Sequence, residues 1–193
     1  MSYNNLHMNG RLVIIAGPSA SGKTTIVEAL LAKFPGSSRL VTTTSRKIRP
    51  GEKHGEHYFF ITREEFEQGI AEGRFLEHNL FADNYYGSSK DRLDESLSKS
   101  KHVFAIIDVN GIAALRPKYE NMVVIFVTPG SLDDIRLRLK KTRVNLTEED
   151  LEKRLKTAEK ELSLAHTFDA IVENREGEFD ATMESIARII ESL

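Results

Sequence analysis

The sequence predicts an α/β fold, a parallel sheet flanked by helices, with a small mixed sheet inserted into it. Three observations predict it. Continuous apolar runs at residues 12–16, 103–109 and 122–127 read as strands buried on both faces. Helical patterns alternate with these runs, as crossover connections in a parallel sheet require. The interval from 43 to 88 breaks the rhythm with short, aromatic, closely spaced strand patterns.

The elements follow in order. Residues 1–10 are polar, lack an apolar signal core and read as a loose leader. The run 12–16 is the first strand. A helix starts at Lys23, carries Ile26, Val27, Leu30 and Leu31, and stops at Pro35 and Gly36. Residues 39–42 read as a short strand and 43–57 as a loop with one large aliphatic residue, Ile48. Residues 58–61 form a strand. Thr62-Arg63-Glu64-Glu65 is a capping box for a helix ending near Gly73. Residues 75–81 and 85–88 pair as strands around an Asp83-Asn84 turn, and 90–98 is a helix. Residues 103–109 form the next buried strand, 111–115 a helix stopped by Pro117, and 122–127 another strand closed by Pro129-Gly130. Ser131 caps a helix carrying Leu132, Ile135 and Leu139, and 140–145 is basic and non-periodic. Thr147 caps an amphipathic helix with Leu151, Leu155, Ala158, Leu162 and Ala165 on one side. Residues 168–172 form a last strand and 179–193 a last helix.

Between the first strand and first helix stands Gly17-Pro18-Ser19-Ala20-Ser21-Gly22-Lys23-Thr24, which satisfies G-x-x-x-x-G-K-S/T, followed by Thr25. In this strand-to-helix setting the motif is a P-loop. Its glycines let successive N–H groups face inward and form a concave anion site. The helix after Gly22 adds its positive end. Lys23 is placed to reach β and γ phosphates, and the Thr24 hydroxyl to ligate Mg²⁺.

Composition narrows the classes. The chain has 193 residues with 29% charged, ordinary for a soluble globular domain. A net charge of −2 gives no global pull toward nucleic acid or an anionic membrane, so anion binding must be local. No cysteine means no disulfide and no thiolate nucleophile, and a cytoplasmic setting is expected. The six histidines show no metal-ligand spacing.

A second basic loop, Ser45-Arg46-Lys47-Ile48-Arg49-Pro50-Gly51-Glu52, sets two arginines three apart. Guanidinium forks suit bidentate phosphate binding, although such a loop can also be a solvated basic surface. Glu77 and Asp108 are hydrogen-bond acceptors, and sites built on such groups can reject a mismatched ligand by ~10⁴-fold. The plainer readings are an acid on a strand edge for Glu77, packing for Tyr58 and Tyr86, and turn hydroxyls for Thr42 and Ser88.

Taken together, the motifs resemble the guanylate kinase family. The resemblance runs through Gly17–Thr24, Ser45 to Tyr58, Phe75-Leu76-Glu77, Asn84-Tyr85-Tyr86-Gly87-Ser88, Ile107-Asp108-Val109-Asn110-Gly111 and Arg143 to Leu155. It implies an ATP:GMP phosphotransferase with Mg²⁺ as cofactor and ATP and GMP or dGMP as small-molecule substrates. It implies a core (9–41, 89–134, 151–193), a GMP-binding insert (42–88) and a short helical lid (135–150). It implies that Arg46, Arg49, Tyr58 and Tyr86 hold the GMP phosphate and that Thr42, Glu77, Ser88 and Asp108 read guanine. Lys23, Arg143 and Arg154 would surround the transferring group, with Arg46 on the acceptor, and Asn174 would lie near adenine.

Three residues depart from the family pattern. Ser45 stands for threonine, Val144 for a glycine after the lid arginine, and Ile106 for an acid two residues before Asp108. On a strand Ile106 and Asp108 would share a face, leaving one acid there. Two other readings stay open at this stage: a P-loop kinase with another small acceptor, and a guanylate-kinase-like protein-binding module without catalysis.

Overall fold

The computed structural model describes residues 10–81, 83–119, 121–143 and 146–193. The expected leader, apart from Gly10, and the expectation at Val144 lie outside the described residues.

In chain order the first elements are β1 (Arg11–Ala16), α1 (Lys23–Lys33), β2 (Ser38–Arg39), β3 (Thr43–Thr44), β4 (Phe59–Phe60), α2 (Arg63–Ala71), β5 (Phe75–Phe81) and β6 (Asn84–Ser89). They continue with α3 (Lys90–Lys99), β7 (His102–Ala105), α4 (Val109–Leu115), β8 (Val123–Thr128), α5 (Leu132–Thr142), α6 (Glu148–Ser163), a short 3₁₀ turn, β9 (Ala170–Glu173) and α7 (Phe179–Glu191). Five strands form a parallel sheet in the order β2-β7-β1-β8-β9, and four form a mixed sheet in the order β4-β3-β6-β5. The chain clusters into two compact units, Gly36–Met122 with the segment up to Leu12, and Val13–Pro35 with Val123–Leu193.

In the second unit, β1 and β8 pair in register from Val13 with Val123 to Ala16 with Phe126. Val13, Ile14, Ile15, Val124, Ile125 and Phe126 are fully buried, which is why both strands read as unbroken apolar runs. Helices α5 and α6 meet over Ile135, Leu139, Leu151, Leu155 and Ala158. Both helices begin as the sequence predicts: the Ser131 hydroxyl accepts from Asp134 N–H in a full capping box, and the Thr147 hydroxyl accepts from Asp150 N–H.

In the first unit, β5 and β6 form a hairpin closed at Asp83, whose φ of 60° places it in the left-handed region. Phe66 of α2 is fully buried, stacked on Phe75 at 4.2 Å and on Tyr85 at 5.1 Å between ring centroids. The Thr62–Glu65 capping box starts α2 as expected.

Some of these expectations need correction. The strand read at 39–42 ends at Arg39 with β2 and resumes only at Thr43 with β3, because Arg39 pairs with Phe104 while Thr43 pairs with Phe59 and Gly87. Thr43 and Thr44 are accordingly strand, where the sequence reads as loop. The strand read at 103–109 stops at Ala105, since the Asp108 carboxylate accepts from the N–H groups of Asn110 and Gly111 and starts α4. Ile106 and Asp108 therefore do not share a strand face. The basic stretch from 140 is helical as far as Thr142, whose hydroxyl bonds back to the Arg138 carbonyl at 2.7 Å.

Candidate active site

In the second unit the loop between β1 and α1 is wound through three left-handed positions, Gly17 (φ 134°), Ala20 (φ 65°) and Gly22 (φ 92°). A Cβ on Gly17 would lie 2.1 Å from the Val127 carbonyl oxygen, so no side chain fits there. Lys23 folds its ammonium over the loop and donates to the carbonyl oxygens of Gly17 and Pro18, each at 2.7 Å. Burial lowers its pKa to about 8, with the Glu161 carboxylate opposing the shift. The loop is braced from behind. Asn174, buried at the end of β9, donates from Nδ2 to the Ser21 carbonyl at 2.9 Å, and Arg138 of α5 donates to the Asn174 carbonyl at 2.6 Å.

The residues around this loop fit a nucleotide polyphosphate. The Ser21 hydroxyl is the fully buried side-chain oxygen left without a hydrogen-bond partner among the described residues. Ser19 is half-buried, while Thr24 and Thr25 stand exposed on the first turn of α1. No cluster of three or more His, Asp or Glu able to hold a metal exists among the described residues. The exposed Thr24 hydroxyl is an oxygen donor of the kind Mg²⁺ accepts. Arg143 follows the last turn of α5, exposed, and Arg154 lies half-buried on α6.

In the first unit, the basic loop is ordered by Glu52. Arg46 Nη2 donates to Glu52 Oε1 at 2.7 Å, and the Arg49 N–H donates to Oε2 at 2.8 Å. Arg46 also lies over Tyr58 and Phe60, at 5.5 and 5.6 Å from the ring centroids. Burial works against the Arg46 charge, but Glu52 and Tyr86 outweigh it and raise its pKa. The same pairing lowers the Glu52 pKa. Tyr58 and Tyr86 meet edge to face at 6.0 Å, and burial raises the Tyr58 pKa. Thus Arg46, Tyr58 and Tyr86 come together, while Arg49 projects from the loop, exposed. Thr42 is half-buried, and its carbonyl accepts the Phe59 N–H at 2.9 Å.

The two acids lie on neighbouring elements of the same unit. Glu77, 8% exposed on β5, accepts the Ser88 hydroxyl at 2.6 Å from the paired strand β6. Asp108 precedes α4, and a Cβ on Gly111 of that helix would lie 2.6 Å from Glu77 Oε2. Burial raises the Glu77 pKa to about 7; the Ser88 hydrogen bond opposes it, and the nearby Asp108 charge adds to it.

Three contributors escape the sequence reading. Glu52 orders Arg46, Gly111 admits Glu77, and Asn79 donates to Asp108 at 2.8 Å. Glu52 and Gly111 stand inside the motifs quoted above without a role being read for them, and the signal for Asn79 is its two-residue spacing from Glu77 on a strand.

A family model described as guanylate kinase matches residues 9–193. The chain is 39% identical over 165 residues to a guanylate kinase of Rubrobacter xylanophilus, covering 86% of each chain. It is 42% identical over 176 residues to one of Aster yellows witches'-broom phytoplasma, covering 89% of this chain and 82% of that one. A crystal structure of guanylate kinase from Anaplasma phagocytophilum superposes with a TM-score of 0.75 at 27% identity, covering 95% of this chain and 85% of the other.

Proposed function

The chain belongs to the guanylate kinase family and transfers a phosphoryl group from ATP to GMP, and from that premise we propose which residues do the work. ATP is held by the second unit. The N–H groups of Gly17–Thr24 cradle its phosphates, with Ser21 offering a buried hydroxyl that has no partner among the described residues. Lys23 exchanges its loop carbonyls for phosphate oxygens, and Asn174 keeps the Ser21–Gly22 peptide in place beside the adenine it is expected to neighbour. Mg²⁺, touched by Thr24 when bound, supplies the charge that offsets the β and γ phosphates. Arg143 and Arg154 add charge around the transferring group.

GMP is held by the first unit. Arg46, preset by Glu52, and Arg49 take the acceptor phosphate with the Tyr58 and Tyr86 hydroxyls. Glu77, set by Ser88, accepts from the guanine N1–H and 2-amino groups, with Asp108 and Thr42 completing the edge. Transfer then needs the acceptor oxygen in line with the γ phosphorus and little covalent help from the protein. The observation that carries this reading is the buried Glu77–Ser88 pair beside Asp108, an acceptor-rich wall that a guanine edge satisfies. The reaction belongs to purine nucleotide metabolism, and the cytoplasm is its setting.

The test is ADP release from ATP with GMP present. Lys23→Ala is expected to lower turnover by at least ~10²-fold, the cost of removing one donor to developing charge, while keeping the wild-type melting temperature. Undiminished turnover in a folded Lys23→Ala protein contradicts the assignment.

A further inference from the structure

Asp108 has more hydrogen bonds than a base-reading carboxylate needs for its own sake. Oδ1 accepts from the N–H groups of Asn110 at 2.9 Å and Gly111 at 2.8 Å. Oδ2 accepts from Asn79 Nδ2 at 2.8 Å. The first two bonds tie one oxygen to the start of α4, but a carboxylate held at one oxygen can still turn about that contact. The Asn79 bond fixes the second oxygen and so the plane.

Asn79 sits two residues after Glu77 on β5, so the two side chains leave the strand on the same face. A carboxylate can only accept, which settles the Asn79 amide: its NH₂ faces Asp108 and its carbonyl oxygen is the acceptor left over. Each carboxylate oxygen has two lone pairs, so Oδ2 retains one after Asn79 has taken the other. Glu77 Oε2, Asp108 Oδ2 and the Asn79 carbonyl therefore form a set of acceptors. Guanine offers three hydrogens along one edge, one on N1 and two on the 2-amino nitrogen.

We propose that Asn79 is a specificity-determining positioning residue, which orients the Asp108 carboxylate toward the 2-amino side of the base. The proposal rests on the guanine reading of this unit. Removing the amide frees the carboxylate plane while the α4 cap survives through Oδ1. The loss falls on GMP and on its 2-amino group, since ATP is held by other residues.

The experiment compares wild type, Asn79→Ala and Glu77→Gln with ATP and either GMP or inosine monophosphate, which lacks the 2-amino group. Asn79→Ala is expected to raise the KM for GMP about tenfold, the scale of one charge-assisted hydrogen bond. The KM for ATP and kcat at saturating GMP stay within about twofold, and the preference for GMP over inosine monophosphate shrinks. A general structural defect would raise the KM for both acceptors equally. That equal rise, or an unchanged KM for GMP, overturns the proposal. Asn79→Ser carries the same expectation if the alanine variant melts early. Glu77→Gln separates the two levels: if it raises the KM for GMP while Asn79→Ala does not, only the role of Asn79 fails. If neither variant changes the GMP dependence, the guanine reading itself fails.

Discussion

Glu77 carries the sharpest consequence at the scale of single residues. Its pKa in the folded protein is about 7 against an ordinary 4.5, chiefly from burial. Between those values the folded chain keeps a proton that the unfolded chain has released. The stability due to Glu77 is thus fully present below pH 4.5 and is lost as the pH rises through 7. Urea unfolding without nucleotide should therefore show wild type losing stability relative to Glu77→Gln between pH 5 and 8, by roughly 1.4 kcal/mol per unit at the steepest. A difference that stays flat over that range contradicts the buried carboxyl. Arg46 makes a second prediction. Arg46→Lys keeps the charge but loses the planar guanidinium that reaches both Glu52 and the Lys47 carbonyl, and it should raise the KM for GMP by roughly tenfold with the KM for ATP unchanged. A rise in the KM for ATP alone would reverse the assignment. Glu77, Ser88 and Arg46 were legible as residues because they fall inside contiguous motifs. The bond from Asn79 to Asp108 was not, because it joins positions 29 residues apart.

At the scale of elements, the apolar runs of β1 and β8 were legible because both faces of each strand are buried. Their neighbours show where this signal ends. Ile107 is buried like a strand residue, but the Asp108 carboxylate already caps α4, and hydrophobicity alone does not register that change. Residues 140–142 lack an apolar period because α5 leaves the core after Leu139, yet its backbone continues as a helix. Leu139 is fully buried between α5 and α6, so Leu139→Ala should cost about 2–5 kcal/mol. Ser131→Ala removes only the hydroxyl of a capping box and should cost about 1 kcal/mol. Thermal and urea melts check both, and an equal cost for the two variants would contradict this ranking. Gly111→Ala should impair GMP use, because its Cβ would come 2.6 Å from Glu77 Oε2.

At the scale of the whole molecule, the proposed reading gives one substrate to each compact unit. The break in the strand–helix rhythm marked the mixed sheet of β3, β4, β5 and β6, since short aromatic strands cannot supply a buried parallel sheet. The grouping of α3, β7 and α4 with that sheet was not legible, because it depends on contacts between residues distant in sequence. The account's central claim is that guanine is recognised by the acceptors around Glu77 while ATP held at the P-loop supplies the phosphoryl group. The measurement that tests it most directly is initial-rate ADP release with ATP and each of GMP, dGMP, AMP, CMP and UMP as acceptor. GMP and dGMP should be phosphorylated at least ~10³-fold more efficiently, as kcat/KM, than AMP, because adenine sets a lone pair against a buried carboxylate. Comparable efficiency with AMP and GMP would contradict the claim.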